Sequence, residues 1–142
     1  MDTTLDFIEA LIEIEKKNKN NLYNNVYDKY LNGRCEDLVN FLLVHNNDGE
    51  KIKIKGICQD GFEDLIVIHY IYKLNGKYYD INGEFDTIED LTNEIGYIDF
   101  IDKIEYIDIN KPLEKQTLEN IKNNELFNEI KNKLENEYLM EI

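Results

Sequence analysis

Three residues of this chain could cooperate in covalent chemistry: Cys35, His69 and Asp80. A thiol is nucleophilic as its thiolate, an imidazole can take the thiol proton near neutral pH, and a carboxylate can hold that imidazole in one tautomer and orientation. Cys35 follows Gly33-Arg34 at the start of a run with helical apolar spacing. In the first turn of a helix, unpaired backbone N–H groups and the helix dipole favour both a thiolate and a developing oxyanion. Cys35 shares a helical face with Leu38, Val39 and Leu42, so its sulfur points toward whatever that helix covers, which is expected to be the sheet. His69 and Asp80 flank Asn75-Gly76, a strong hairpin signal because both turn residues tolerate φ > 0. With a two-residue turn there, Leu74 pairs with Lys77, Ile71 with Asp80 and His69 with Asn82. His69, Ile71, Asp80 and Asn82 then share one face, and His69 and Asp80 are diagonal neighbours within hydrogen-bonding reach. A slip of one residue puts them on opposite faces.

The surrounding pattern supplies elements to position these groups. Leu5, Ile8, Leu11, Ile12 and Ile14 mark an amphipathic helix from Leu5 to about Lys17, and Tyr23, Val26, Tyr27 and Tyr30 suggest a short second one. The third helix runs from Cys35 to about His45, with Asn32 as its expected N-cap and Asn46-Asn47-Asp48-Gly49 as its exit. The period then changes to two. Lys51-Ile52-Lys53-Ile54-Lys55 alternates as a half-exposed strand, Gln59-Asp60-Gly61 reads as a turn, and Leu65–Leu74 and Lys77–Asn82 are the hairpin strands. Asp86-Thr87-Ile88-Glu89 has capping-box character ahead of Leu91 and Ile95, and Tyr97–Ile109 could supply one more strand. A C-terminal amphipathic helix from Leu118 to Tyr138 has a potential break at Asn123-Asn124. Helices first, a meander, then a helix describe an α+β domain spanning residues 1–142, with N-terminal helices and a long C-terminal helix packed on a small antiparallel sheet.

Composition narrows the setting. The chain has 142 residues, with 30 acidic against 16 basic side chains and a net charge of −14, which argues against direct binding to nucleic acid or anionic lipid. No apolar run reaches the ~18–20 residues of a membrane span, and the N-terminus is unlike a secretory signal. Two cysteines, Cys35 and Cys58, are too few for a disulfide framework or a Cys-rich zinc site, so a reducing cytoplasm is the expected compartment. Without a Gly-rich phosphate loop or a His-x-x-x-His pattern, no cofactor and no metal are expected.

Each candidate also has a structural reading. Cys35 could fill core volume, a strand His beside an Asp can be a satisfied polar pair, Asn82 suits a turn, and Cys58 suits the core. His45 reads as a cation at a helix C-terminus. The tyrosines at 70, 72, 78 and 79 read as cross-strand packing. Asp60, Glu63 and Asp64 lack the oxygen spacing of a calcium loop and read as a solvated hairpin end. Glu36 and Asp37, directly after the thiol, are expected to raise its pKa and oppose activation.

Gly33-Arg34-Cys35 leading into an apolar helix, Ile68-His69 on a strand, and Tyr78-Tyr79-Asp80-Ile81-Asn82-Gly83 together resemble the Cys, His, Asp order of papain-like and transglutaminase-like folds. They are similar to small uncharacterised bacterial and phage proteins with a glycine-X-cysteine helix start and an H…YxDxxG hairpin. The resemblance covers Gly33 to Leu91. It implies Cys35 as nucleophile, His69 as general base and Asp80 as orienting acid; Gly33 and Arg34, just before the thiol, and Asn82, on the His69 face, are the expected substrate contacts. The implied reaction is acyl transfer at an amide of a protein or peptide, as in peptidases, amidases, deamidases and transglutaminases. No Gln precedes Cys35 and no aromatic residue follows it directly, unlike papain-like sites. A reading from another class is a non-catalytic acidic inhibitor, immunity or anti-defence protein, phage-borne, covering a basic surface of a nucleic-acid-processing or toxin protein.

Overall fold

A computed structural model describes the chain except residues 1, 18–24, 32, 61–62, 96–102 and 141–142, and gives only the backbone of residues 58–60, 63–65, 67 and 138–140. Three helices come first: α1 (Thr4–Lys16), α2 (Val26–Leu31) and α3 (Cys35–His45). A meander follows, of β1 (Glu50–Asp60), β2 (Glu63–Leu74), β3 (Lys77–Asp80) and β4 (Gly83–Phe85). Then come α4 (Ile88–Asn93), β5 (Lys103–Ile109), α5 (Lys115–Lys122) and α6 (Glu125–Met140). The strands form one antiparallel sheet in the order β4-β3-β2-β1-β5. The protein is α+β, with six helices packed on a five-stranded antiparallel sheet among the described residues.

Alternation along the strands divides the core. Tyr72, Leu74 and Tyr79 face a cluster containing Phe7 and Leu11 of α1, Leu38 and Leu42 of α3, and Ile130 and Leu134 of α6. The opposite face carries Ile52, Ile54 and Ile71 under Leu91 of α4 and Ile95. Burying each such aliphatic side chain is worth roughly 1.5–3 kcal/mol, so α3 is held to the sheet by Leu38, Val39 and Leu42 rather than by its cap. Arg34 occupies the N-cap position without a side-chain capping bond, and Asn32, the expected cap, lies outside the described residues. The far end of α3 is pinned where the Tyr72 hydroxyl donates to the Asn46 carbonyl at 2.6 Å. Gly49 leaves room for that ring, since a Cβ there would meet it at 2.1 Å.

The Asn75-Gly76 turn has positive φ at both residues, 52° and 76°, the backbone that joins twisted antiparallel strands in two residues. Leu74 pairs with Lys77 and Tyr72 with Tyr79, in the register expected of that turn. The returning strand is shorter than Lys77–Asn82. The Asp80 carboxylate accepts the Asn82 backbone N–H at 2.8 Å, an Asx-type turn that ends β3 and reverses the chain into β4, a strand the sequence pattern did not signal. Gln59 and Asp60 extend β1 rather than forming a turn, and Gly61 lies outside the described residues. Likewise β5 is described from Lys103, while residues 97–102 of the expected Tyr97–Ile109 strand are not. Thr87 caps α4 by accepting the Asp90 N–H at 3.1 Å. The C-terminal segment is two helices, because Asn124 caps α6 through the Phe127 N–H at 3.0 Å.

Candidate active site

The hairpin register brings His69 and Asp80 together. The Nε2 atom of His69 lies 3.2 Å from Oδ2 of Asp80, and the residues are 0% and 2% exposed. The other carboxylate oxygen is occupied by the Asn82 N–H, so the acid is held from two sides. As a donor to Asp80, Nε2 carries hydrogen and Nδ1 is the atom left for chemistry. Nδ1 is buried and has no hydrogen-bond partner among the described residues.

Cys35 and this imidazole influence each other beyond the point where the β2–β3 pairing ends. Residues 69, 71 and 80 project toward the α4 side, whereas α3 covers the face of Tyr72 and Tyr79. The β2–β3 ladder stops at Tyr72 and Tyr79 while β2 continues to Glu63. The backbone N–H groups of Tyr70 and Glu36 act on the sulfur in favour of its anion. Cys35 is the first residue of α3, so the unpaired N–H groups of the first turn converge beside it.

The ionisations of the two side chains are pulled apart. Burial acts to raise the Cys35 thiol, but the hydrogen-bonding and charge influence of His69, with the two N–H groups, outweighs it and holds the pKa below the ordinary thiol value. Burial acts to lower His69, yet the Asp80 carboxylate and the Cys35 thiolate together push it up to about 9. A charged His69 therefore favours the thiolate and a thiolate favours the charged ring, although Nδ1 has no hydrogen-bond partner of ordinary geometry among the described residues.

The expected opposition from Glu36 and Asp37 does not hold. Glu36 pairs with Lys51 at 2.7 Å and Asp37 with Arg34 at 3.2 Å, so each carboxylate is answered by a cation. The Lys51 ammonium also donates to Asn40 Oδ1 and lies 5.0 Å from the centre of the Tyr70 ring, tying β1 to α3 beside the thiol. Lys51 and the Tyr70 N–H were not among the expected site residues. The alternation of Lys51-Ile52-Lys53-Ile54-Lys55 signals a face for Lys51 but no partner, and a main-chain donor leaves no mark in side-chain identity.

Of the expected substrate contacts, Gly33 and Arg34 are exposed immediately before Cys35. The Asn82 side chain is exposed on the turn after β3, not in a strand on the His69 face, and its backbone supports Asp80. Cys58 lies within β1, where only its backbone is described. His45 is not a cation at a helix end. Its Nδ1 accepts from the Lys131 ammonium at 2.9 Å, its Nε2 meets Thr3 Oγ1 at 2.7 Å, and burial together with the lysine charge drives its pKa down to about 4.

A cleft of about 520 Å³ lies toward the other end of α3, lined by Leu43, Ile109, Pro112, Leu113 and Leu118 among others, and Cys35 does not line it. Among the described residues no group of three or more His, Cys, Asp and Glu is placed to hold a metal ion, and no helix is long and apolar enough to cross a membrane. Comparison with protein-family models, curated proteins and solved structures found no match to this chain.

Proposed function

We propose that this protein is a cysteine-dependent acyl-transfer enzyme acting on an amide, with Cys35 as nucleophile, His69 as proton carrier and Asp80 as the residue that positions His69. The observation that carries this reading is the shared imidazole. One nitrogen is held by a buried carboxylate, and the other, with no hydrogen-bond partner of ordinary geometry among the described residues, belongs to the ring that lowers the pKa of half-buried Cys35. A purely structural His–Asp pair does not require a thiol at a helix N-terminus on its free side. Burying two charges is costly enough that a well-packed apolar pair would serve stability as well.

In the proposed reaction the Cys35 thiolate attacks the substrate carbonyl carbon, forming a C–S bond and placing the carbonyl electron pair on oxygen. The first-turn N–H groups of α3 meet that oxyanion. The Nδ1 proton of His69 passes to the departing nitrogen, the C–N bond breaks, and a thioester remains on Cys35. Nδ1 then takes a proton from an incoming water or amine, which attacks the thioester and releases Cys35 as thiolate. Asp80 keeps Nε2–H in place throughout. The order Cys, His, Asp along the chain, similar to that of papain-like and transglutaminase-like folds, accords with this scheme. A nucleophilic thiol suits a reducing compartment such as the cytoplasm.

The test is alkylation of Cys35 by iodoacetamide as a function of pH, with the modified residue identified by peptide mass spectrometry. The expected result is rapid labelling below the pH at which an ordinary thiol reacts, with His69→Ala returning the profile to that of an ordinary thiol. A wild-type profile that is ordinary, or indifferent to His69→Ala, would falsify the proposal. The acidic-binder reading draws on the net charge of −14, gives the buried pair no role, and predicts that ordinary profile.

A further inference from the structure

We infer that the cleft toward the other end of α3 binds a small molecule with an apolar body and one carboxylate, and that this ligand slows Cys35 by sharing the Lys51 ammonium with Glu36. The binding stands on the cleft itself; the effect on Cys35 rests on the acyl-transfer reading and gives that site a regulator. The cleft forms where the β1–β5 pairing ends at Lys51 and Ile109. Pro112, the chain's one proline, has no N–H to extend that ladder, and the chain leaves the sheet for α5. The space of about 520 Å³ between α3, the two strand ends and α5 is in the range of small-molecule sites, roughly 300–1,000 Å³. Its apolar lining, Leu43, Ile109, Leu113 and Leu118, is only half-buried, so a hydrocarbon body there would take from water apolar surface that the fold leaves partly exposed. Its charged lining is Lys51, Lys111 and Glu50, two cations to one anion in a chain of net charge −14. One negative charge on the ligand completes that set, and a carboxylate suits ammonium donors.

Lys51 belongs both to the cleft and to the surroundings of the thiol. Its side chain is 11% exposed, and its ammonium lies 2.7 Å from Glu36 Oε2, 3.1 Å from Asn40 Oδ1 and 5.0 Å from the centre of the Tyr70 ring. An ammonium has three hydrogens, so the bonds to Glu36 and Asn40 leave one for a ligand. Glu36 directly follows Cys35 in the first turn of α3. Burial, then the charges of Glu36 and Cys35, push the Tyr70 phenol up, so the ring beside the Lys51 ammonium also feels the charge of the thiol. With a carboxylate in the cleft, one cation answers two anions, and the charge around Lys51 becomes more negative by one. Added negative charge disfavours a thiolate, so filling the cleft raises the pH at which Cys35 reacts. Neither Cys35 nor His69 lines the cleft, so this control does not block the site.

The experiment titrates the full chain with sodium octanoate, following backbone amide NMR shifts, and then measures alkylation of Cys35 by iodoacetamide on the rising limb of its pH profile. The expected result is saturable shifts centred on Leu43, Lys51 and Leu113. Octan-1-ol, with the same body and no charge, should bind roughly threefold or more less tightly. Lys111→Glu, at an exposed position, should weaken octanoate by about threefold to tenfold. Saturating octanoate should slow alkylation by about twofold to fourfold, the effect of one charge about 10 Å away in a largely aqueous medium, and octan-1-ol should not. In Glu36→Gln the slowing should shrink, because Lys51 then answers the ligand alone. No saturable shifts at the cleft, or equal affinity for octanoate and octan-1-ol, overturns the carboxylate site. Octanoate binding without slowing, or slowing of the same size in Glu36→Gln, overturns the route through Lys51. An ordinary iodoacetamide profile in the unliganded protein overturns the acyl-transfer reading and the regulation with it, while the octanoate shifts still decide the cleft.

Discussion

The chain's two histidines occupy comparable positions and behave oppositely. Each is tucked against a core cluster and each meets a charged side chain through a ring nitrogen. His45 faces the Lys131 ammonium, which can only donate, so Nδ1 must accept and the ring stays neutral, with a pKa near 4. His69 faces Asp80, which can only accept while ionised, and a thiol that becomes anionic beside it, so the ring holds its proton to about 9. Burial opposes the charged form of both. The sign of the neighbour decides the outcome, and it separates a corner that ties α1, α3 and α6 together from one equipped for proton transfer.

The largest way to break this contrast is to remove the rings. His69→Ala leaves the Asp80 carboxylate buried without its cation and should destabilise the fold by about 3–5 kcal/mol in denaturant unfolding. His45→Ala leaves Thr3 and Lys131 able to reach water, but loses the ring contact with Phe7 at 4.9 Å, and should cost about 1–2 kcal/mol. Equal losses would mean that the His69–Asp80 pair is not charged.

Acidity sharpens the contrast next. His45 has a folded pKa of about 4, below its ordinary 6.5, so as pH falls the unfolded chain takes up the proton first. Its contribution is full above pH 6.5, declines by up to about 3 kcal/mol between 6.5 and 4, and levels off below. His69, raised from 6.5 to about 9, contributes fully below 6.5 and loses that contribution as pH rises through 9. Lowering of the Cys35 thiol adds stability at high pH that is lost as pH falls through its folded pKa, so thiol and imidazole titrate as a pair. His45→Gln should flatten the acid limb of the stability profile and leave the alkaline limb in place. The smallest effect belongs to Lys131→Met, which should return His45 toward the ordinary histidine pKa without moving His69. Movement of both rings would contradict the separation of the two corners.

Much of the candidate site is legible along the chain because local chemistry sets it. Asn75-Gly76 dictates a two-residue turn, the turn dictates the register, and the register brings His69 to Asp80. The Gly33 boundary and the apolar spacing after Cys35 place the thiol at a helix start. What is not legible depends on distant partners. Glu36 reads as an obstacle to a thiolate until Lys51 arrives from β1, and His45 reads as a cation until Lys131 arrives from α6, 86 residues away. The end of β3 is a competition between two uses of one residue, since Asp80 can continue a strand or form a turn through its carboxylate. The structure uses it to anchor His69 and turn the chain at once.

The most direct test of the central claim is an NMR titration of the two imidazoles across pH 3 to 11, on the order of the full range in which both forms occur. Two rings titrating far apart, His45 near 4 and His69 near 9, with the His69 midpoint falling in Cys35→Ala and falling further in Asp80→Asn, is the predicted result. Both rings titrating together near 6.5, or a His69 ring that does not respond to Cys35→Ala, would contradict an imidazolium shared between Asp80 and the thiolate.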